Sequence, residues 1–363
     1  MKIKITQKDL LKGLTTVTRA VNQKSTQAIL GCVLIDVGEN ITLMGNNLEI
    51  GIQTVLEGDI EGQGKVAVDA KILTDMIRKM PEGDITIESK ENEVTIKGGK
   101  AKFKVSSRNA DEYPALPDVG DGVHFAVDGM IFKDMVKQIA FAAAENSSNK
   151  AMEGINLVLK EQILSMTALD GVRVAIRHVV VDDSKEMTTI VPGKTMREMA
   201  GIIEDDKVHF YFADKHLMAL FGNTTVVSRL IVGNYFDINK ILGIDFSIKV
   251  KVDRKAFYDC VDRSTLFTKD VEKKPVIMAV YDNSVNLGIT TSQGSMNEDI
   301  EAVVEGSELR IGFNAKYMLD ALAAIEDDTV IIRMKDPKSP ICIKDDEDIY
   351  LYIVLPTAIQ EGI

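Results

Sequence analysis

Val66-Ala-Val-Asp-Ala-Lys71-Ile-Leu-Thr-Asp-Met-Ile-Arg-Lys-Met-Pro-Glu-Gly-Asp84 reads as a strand, a helix, an acidic turn and the start of another strand. The same order returns in Thr189-Ile-Val-Pro-Gly-Lys194-Thr-Met-Arg-Glu-Met-Ala-Gly-Ile-Ile-Glu-Asp-Asp206 and in Arg310-Ile-Gly-Phe-Asn-Ala-Lys316-Tyr-Met-Leu-Asp-Ala-Leu-Ala-Ala-Ile-Glu-Asp-Asp328. Lys71, Lys194 and Lys316 recur at steps of 123 and 122, and Ile85, Val208 and Val330 keep the same steps. A period of this length is that of a whole domain, far beyond the roughly 20–50 residues of solenoid repeats. The 363 residues therefore divide into three copies of one domain.

Each copy opens with an alternating strand and a helix. Lys2-Ile-Lys-Ile-Thr6 leads into a helix over 8–21 with Leu10, Leu14, Val17 and Val21 on one stripe. Val123–Val127 leads into 129–141, with Phe132, Met135, Val136 and Ile139 inward, and Phe246–Val252 leads into 254–263, with Phe257, Cys260 and Val261 inward. Asp128 and Asp253 stand where a side-chain oxygen caps free backbone N–H groups. Second helices fall at 70–80, 193–203 and 315–325, and short alternating strands fill the rest. Two helices over antiparallel strands give an α+β class, with the helices on one face of the sheet. Turn residues near Asp118–Gly122 and Leu242–Asp245 set domain limits at 1–120, 121–244 and 245–363.

Composition narrows the function. Hydrophobic residues make up 45 % and charged residues 27 %, as in ordinary globular protein. Trp is absent, so the cores are aliphatic. Cys32, Cys260 and Cys342 sit in apolar surroundings without short spacing and read as buried thiols of a reducing compartment. The N-terminus is already alternating strand and no apolar run approaches a membrane span, which points to the cytoplasm.

The net charge of −12 argues against nucleic acid if the charge is evenly spread. It is not. The six expected helices hold 14 basic and 7 acidic residues, which leaves 29 basic against 48 acidic elsewhere. The basic residues fall opposite the apolar stripes: Lys8, Lys12 and Arg19, then Lys71, Arg78 and Lys79, then Lys133 and Lys137, then Lys194 and Arg197. Lys24 follows the first helix, and Lys316 is nearly alone on the last. Lys is a good helix former on any solvated face. The alternative is a cationic surface, built from equivalent helices, that suits a phosphate backbone.

Nothing in the chain asks for catalysis. His124, His178, His209 and His216 lack zinc-ligand spacing, and no P-loop or nucleophile elbow occurs. The doublets Asp205-Asp206 and Asp327-Asp328 match Glu82-Gly-Asp84 of the first copy and read as turns, not as a metal site. No metal, cofactor or catalytic residue is expected.

A series of motifs resembles the bacterial sliding clamps, the β subunits of DNA polymerase III. They are Gln27-Ala-Ile-Leu-Gly31, Asn46-Asn-Leu-Glu-Ile-Gly51, Ala110-Asp-Glu-Tyr-Pro-Ala-Leu-Pro117, Ala168-Leu-Asp-Gly-Val-Arg-Val-Ala175, Gly233-Asn-Tyr-Phe-Asp-Ile-Asn-Lys-Ile-Leu242, Phe313-Asn-Ala-Lys-Tyr-Met-Leu-Asp320 and Tyr350-Leu-Tyr-Ile-Val-Leu-Pro356. The resemblance covers essentially the whole chain. It implies a head-to-tail homodimeric ring of six domains, with helices lining a central hole around double-stranded DNA and antiparallel sheets outside. The basic helix residues above would then face DNA without reading sequence, and the ring would confer processivity on the polymerase.

The resemblance also implies an outer hydrophobic groove for peptides of the polymerase III α subunit, the clamp loader and other partners. Carried over by motif, its walls are Leu169, Gly171, Val172, Arg173 and Val174, then Phe236 and Ile241, then Asn314, Tyr317, Pro340, Ile353, Val354, Leu355 and Pro356. Read from the residues alone, Val174 and Ile353 are plain core positions. Leu169 stands in place of the family's Thr, Phe236 in place of its Pro, and Thr357–Ile363 in place of a short Arg-containing tail. Family geometry puts Phe103 and Val105 of one chain against Leu266 and Phe267 of its partner. The reading from another class is a three-domain scaffold or ligand-binding protein that encircles nothing; an enzyme comes third.

Overall fold

The structure is a computed structural model and describes residues 1–120, 122–182, 185–204, 207–213, 215–268, 274–347 and 349–359. The Asp205-Asp206 turn lies outside them. The helices are α1 (Gln7–Val17), α2 (Ala70–Lys79), α3 (Gly129–Ile139), α4 (Gly193–Ile202), a short α5 (Asn239–Leu242), α6 (Arg254–Ser264) and α7 (Ala315–Ala323). All but α5 were expected from the apolar periodicity.

Their starts are fixed by side-chain caps. Asp128 Oδ1 accepts from Met130 N at 2.9 Å and Ile131 N at 3.1 Å, and Asp253 Oδ1 accepts from Ala256 N at 2.7 Å. Asp69 does the same for Ile72 N at 2.8 Å. The expected stripes are buried: Leu10, Leu14, Val17, Phe132, Ile139, Phe257, Cys260 and Val261 are all at 0 % exposure. Burial of each large side chain contributes about 1.5–3 kcal/mol.

α1 stops at Val17 instead of continuing to 21, giving way to a 3-10 turn over Thr18–Ala20. Thr15, Thr16 and Thr18 donate their hydroxyls back to the carbonyls of Leu11, Lys12 and Thr15, a competition that loosens helix ends. Gly45 meets this end: a Cβ there would fall 2.0 Å from Val17 O, so only glycine lets the strand pass.

The chain forms two compact units, Met1–Phe132 with Glu198–Leu230, and Lys133–Arg197 with Ile231–Ile363. The first contains a five-stranded and an eight-stranded sheet, and the second a twelve-stranded sheet. All described ladders are antiparallel.

The long sheets arise because strands pair across repeats, which the alternation pattern did not reveal. In the first unit Thr224–Arg229 lies beside Ile50–Leu56, from Thr224 opposite Thr54 to Ser228 opposite Ile50. In the second, Arg173–Val180 lies beside Tyr350–Val354, from Arg173 opposite Val354 to Arg177 opposite Tyr350.

Among the strand edges with one side open in the described residues, two bear on assembly. Ala101–Ser106 pairs with Glu93–Gly98 alone. In Gly294–Glu305, residues 294–301 pair with Ser284–Thr291 only, and the strand Ile248–Asp253 takes up just 302–305.

Candidate functional site

The second unit brings part of the expected groove together. Leu169, Val174 and Ile353 are buried in one apolar cluster, with Ile241 and Leu355 packed against it. Strand register explains the meeting: Leu169 is opposite Val174, which is opposite Ile353. The plain core reading of Val174 and Ile353 describes their burial, 8 % and 2 % exposed. They form the floor of the cluster.

The motifs did not mark Ile176, Cys342, Met152, Tyr235, Ile238, Phe246 and Leu351, which complete this cluster. Ile176 and Leu351 carry a signal in hindsight, since each lies two residues along a strand from a cluster member. Burial pushes the Cys342 thiol up to about 12, so it acts as a small hydrophobe. Beside the cluster opens a cavity of about 300 Å³, with Ile241, Leu242, Phe246 and Leu351 on its apolar side and Arg333, Lys344 and Asp346 on its polar side.

Other expected groove residues lie outside this cluster. Val354 alternates with Ile353 along the strand and is 1 % exposed, so it packs on the opposite face of the sheet. Arg173, opposite Val354, lies on that face too. Its guanidinium donates to Asp170 Oδ2 at 2.9 Å, Asp320 Oδ2 at 2.5 Å and Phe141 O at 2.6 Å, and lies over the rings of Tyr317 (4.6 Å) and Phe141 (5.4 Å). Arg173 thus ties the strand of the second repeat to α7 of the third. Asn314 caps α7, accepting from Lys316 N and Tyr317 N.

Between Leu169 and Arg173 the chain turns at Gly171, whose φ of +92° suits glycine, while Asp170 Oδ1 accepts from Val172 N and Arg173 N. Leu355 N donates to Val172 O at 2.9 Å, which brings these two groove residues alongside each other. Val172 and Phe236 are exposed, and Pro340 and Pro356 are half-buried; none of the four belongs to the apolar cluster.

The basic helix residues are at the surface. Lys8, Lys12, Lys24, Lys71, Arg78, Lys79, Lys137, Lys194 and Arg197 are exposed, and Arg19 and Lys133 are half-buried. Three are neutralised: Lys12 pairs with Glu204 at 2.8 Å, Arg19 with Glu198 at 2.9 Å and Arg78 with Asp75 at 2.7 Å. Arg197 also donates to Ala140 O at 3.3 Å.

Of the four expected interface residues, Phe103 and Val105 are half-buried on the open-edged strand Ala101–Ser106. Leu266 is 66 % exposed. The Phe267 ring covers Gly294, where the second open edge begins.

Comparison with known proteins identifies the family. Family models of the DNA polymerase III beta subunit match in chain order: the N-terminal domain over residues 1–117, the central domain over 126–237 and the C-terminal domain over 239–358. The crystal structure of a putative DNA polymerase III beta subunit from Eubacterium rectale superposes with a TM-score of 0.95 at 39% identity, covering 98% of this chain and 99% of that one. The DNA polymerase sliding clamp of Bacillus subtilis gives 0.96 at 25% identity, covering 99% and 100%. The beta sliding clamp of Staphylococcus aureus is 28% identical over 98% of this chain and 99% of its own length. With all three domains matched in order along nearly its whole length, this chain belongs to the DNA polymerase III beta subunit family, the bacterial sliding clamps.

Proposed function

We propose that this protein acts as a homodimeric ring around double-stranded DNA and holds a replicative polymerase to its template. One observation carries the ring. The last strand of the second repeat pairs with a strand of the first, and the last strand of the third pairs with a strand of the second. The last strand of the first repeat, Ala101–Ser106, and the third repeat's Gly294–Glu301 are left with one side open. Their union between two chains repeats the same joint. Lys102 on one and Asp299 and Glu301 on the other carry complementary charge, while Lys104 already pairs with Glu93 and Glu298 with Arg263. Phe103 and Val105 would meet the partner's Leu266 and Phe267 at this seam.

Domains at 1–120, 121–244 and 245–363 would alternate around such a ring. Lys8, Lys24, Lys71, Lys79, Lys133, Lys137 and Lys194 make no ion pair among the described residues and supply the non-specific phosphate contacts. Retention on DNA is topological, so each contact can be weak and the protein can slide. The apolar cluster around Leu169, Val174, Ile241, Ile353 and Leu355 would take short peptides of the polymerase α subunit and the clamp loader. The protein works in the cytoplasm and performs no catalysis itself.

The test is to load the protein on nicked circular DNA with a clamp loader and ATP, then to linearise the circle. A ring slides off the ends. Equal retention on circular and linear DNA defeats the proposal.

A further inference from the structure

All three repeats close an outer strand with the same clasp. Arg108 N donates to Ala67 O at 2.8 Å, Ile231 N to Ile190 O at 2.9 Å and Thr357 N to Gly312 O at 2.8 Å. In the first two repeats the chain then drops a tyrosine into the sheet's outer face. Tyr113 Oη lies 3.1 and 3.2 Å from the carbonyls of Cys32 and Met44, and Tyr235 Oη lies 3.3 and 3.1 Å from those of Gly154 and Thr167. Each hydroxyl shares its one proton between two strands.

Register locates the third slot. Ala67 faces Leu34, which faces Met44; Ile190 faces Asn156, which faces Thr167; Gly312 faces Ile277, which faces Gly288. Cys32 and Gly154 precede Leu34 and Asn156 by two residues, as Pro275 precedes Ile277. The third pair of acceptors is therefore the carbonyls of Pro275 and Gly288. Both residues line a cavity of about 680 Å³, a size that takes ligands. A Cβ on Gly288 would meet nothing nearer than 3.8 Å. The positions four and five residues after the third clasp are Glu361 and Gly362, so no aromatic stands there in the sequence.

We propose that this cavity is a docking slot for a partner peptide that inserts a tyrosine, its hydroxyl donating to the carbonyls of Pro275 and Gly288. Pro275, Ile277 and Ala279 supply the apolar walls, and Thr357–Ile359 forms one side. The peptide is acidic beside its tyrosine. Arg310 lines the slot, and the first slot's own occupant reads Ala110-Asp-Glu-Tyr113. The inference rests on the threefold repeat and is independent of whether the protein encircles DNA.

The test uses the full chain and a labelled synthetic peptide copying residues 109–117, read by fluorescence anisotropy. Saturable binding is expected, weaker by about tenfold with Phe in place of the tyrosine and lost with Ala. Gly288→Leu fills the slot and is expected to weaken binding by more than about tenfold with unchanged thermal unfolding. A photo-reactive phenylalanine at the tyrosine position is expected to crosslink wild-type protein near Pro275 and Gly288, a readout that needs no variant. Absence of saturable binding, equal binding by the Ala peptide or by a folded Gly288→Leu protein, or crosslinks confined to the Leu169–Ile353 cluster or to the first repeat would overturn the proposal.

Discussion

Arg173 Nη1 lies 2.5 Å from Asp320 Oδ2, a hydrogen-bonded ion pair that bridges the second and third repeats. The Arg173 side chain is only 11 % exposed, so the pair is partly withdrawn from water. Pairs of this kind matter most when one partner is removed, because the other charge stays behind without compensation.

Arg173→Ala should therefore destabilise the second unit by about 2–4 kcal/mol, since it strands Asp170 and Asp320 and unstacks Phe141 and Tyr317. Arg173→Lys keeps the charge but not the planar fork, and should recover less than half of the loss. Denaturant unfolding checks both. Wild-type stability in Arg173→Ala would mean that the clasp contributes nothing.

Tyr113→Phe and Tyr235→Phe each delete one hydroxyl that serves two carbonyls, at a cost of about 1 kcal/mol apiece. The two sites share no partner, so the double variant should lose the sum. Thermal unfolding of the three variants tests the additivity.

Alkaline pH acts on the same groups. Burial raises the phenols of Tyr113, Tyr235 and Tyr352, and burial with the nearby Asp327 carboxylate raises Tyr350. A raised folded pKa means the folded state holds the proton more tightly than the unfolded chain does. Their contribution is complete below about pH 10 and is lost as pH climbs beyond it. Tyrosinate absorbance from these four should appear together with loss of circular dichroism, not before it.

For the groove, Leu355→Lys places a charge beside the apolar cluster and should weaken a polymerase-tail peptide by more than about tenfold. Titration of the peptide against the variant and wild type decides. Unchanged affinity would move the groove elsewhere on the protein.

At the proposed seam, Phe103→Glu and Leu266→Lys should each convert dimer to monomer in sedimentation velocity without lowering the unfolding midpoint of either unit. A variant that stays dimeric at micromolar concentration would place the interface on other strands.

Much of this fold was legible because helix-period stripes and the 123-residue step are strong local signals. Leu10, Leu14 and Val17 are buried as their spacing requires, and Asp128 and Asp253 cap as their positions require. Pairing between repeats was not legible, since alternation says which face a residue takes and nothing about its neighbour strand. That is why Val354 and Arg173, adjacent in motif to true cluster members, turned out to lie on the other face of the sheet. Tyr235 stands in the Gly233–Leu242 motif, but its role there was not legible for a related reason: it depends on two carbonyls of distant strands.

The union of Arg173–Arg177 with Tyr350–Val354 has a mechanical consequence. Force applied along these strands shears the joint, so its five paired positions bear the load in parallel. Force applied across them would peel the bonds apart in succession. Between the second and third repeats the chain is therefore stiff in one direction and compliant in the other.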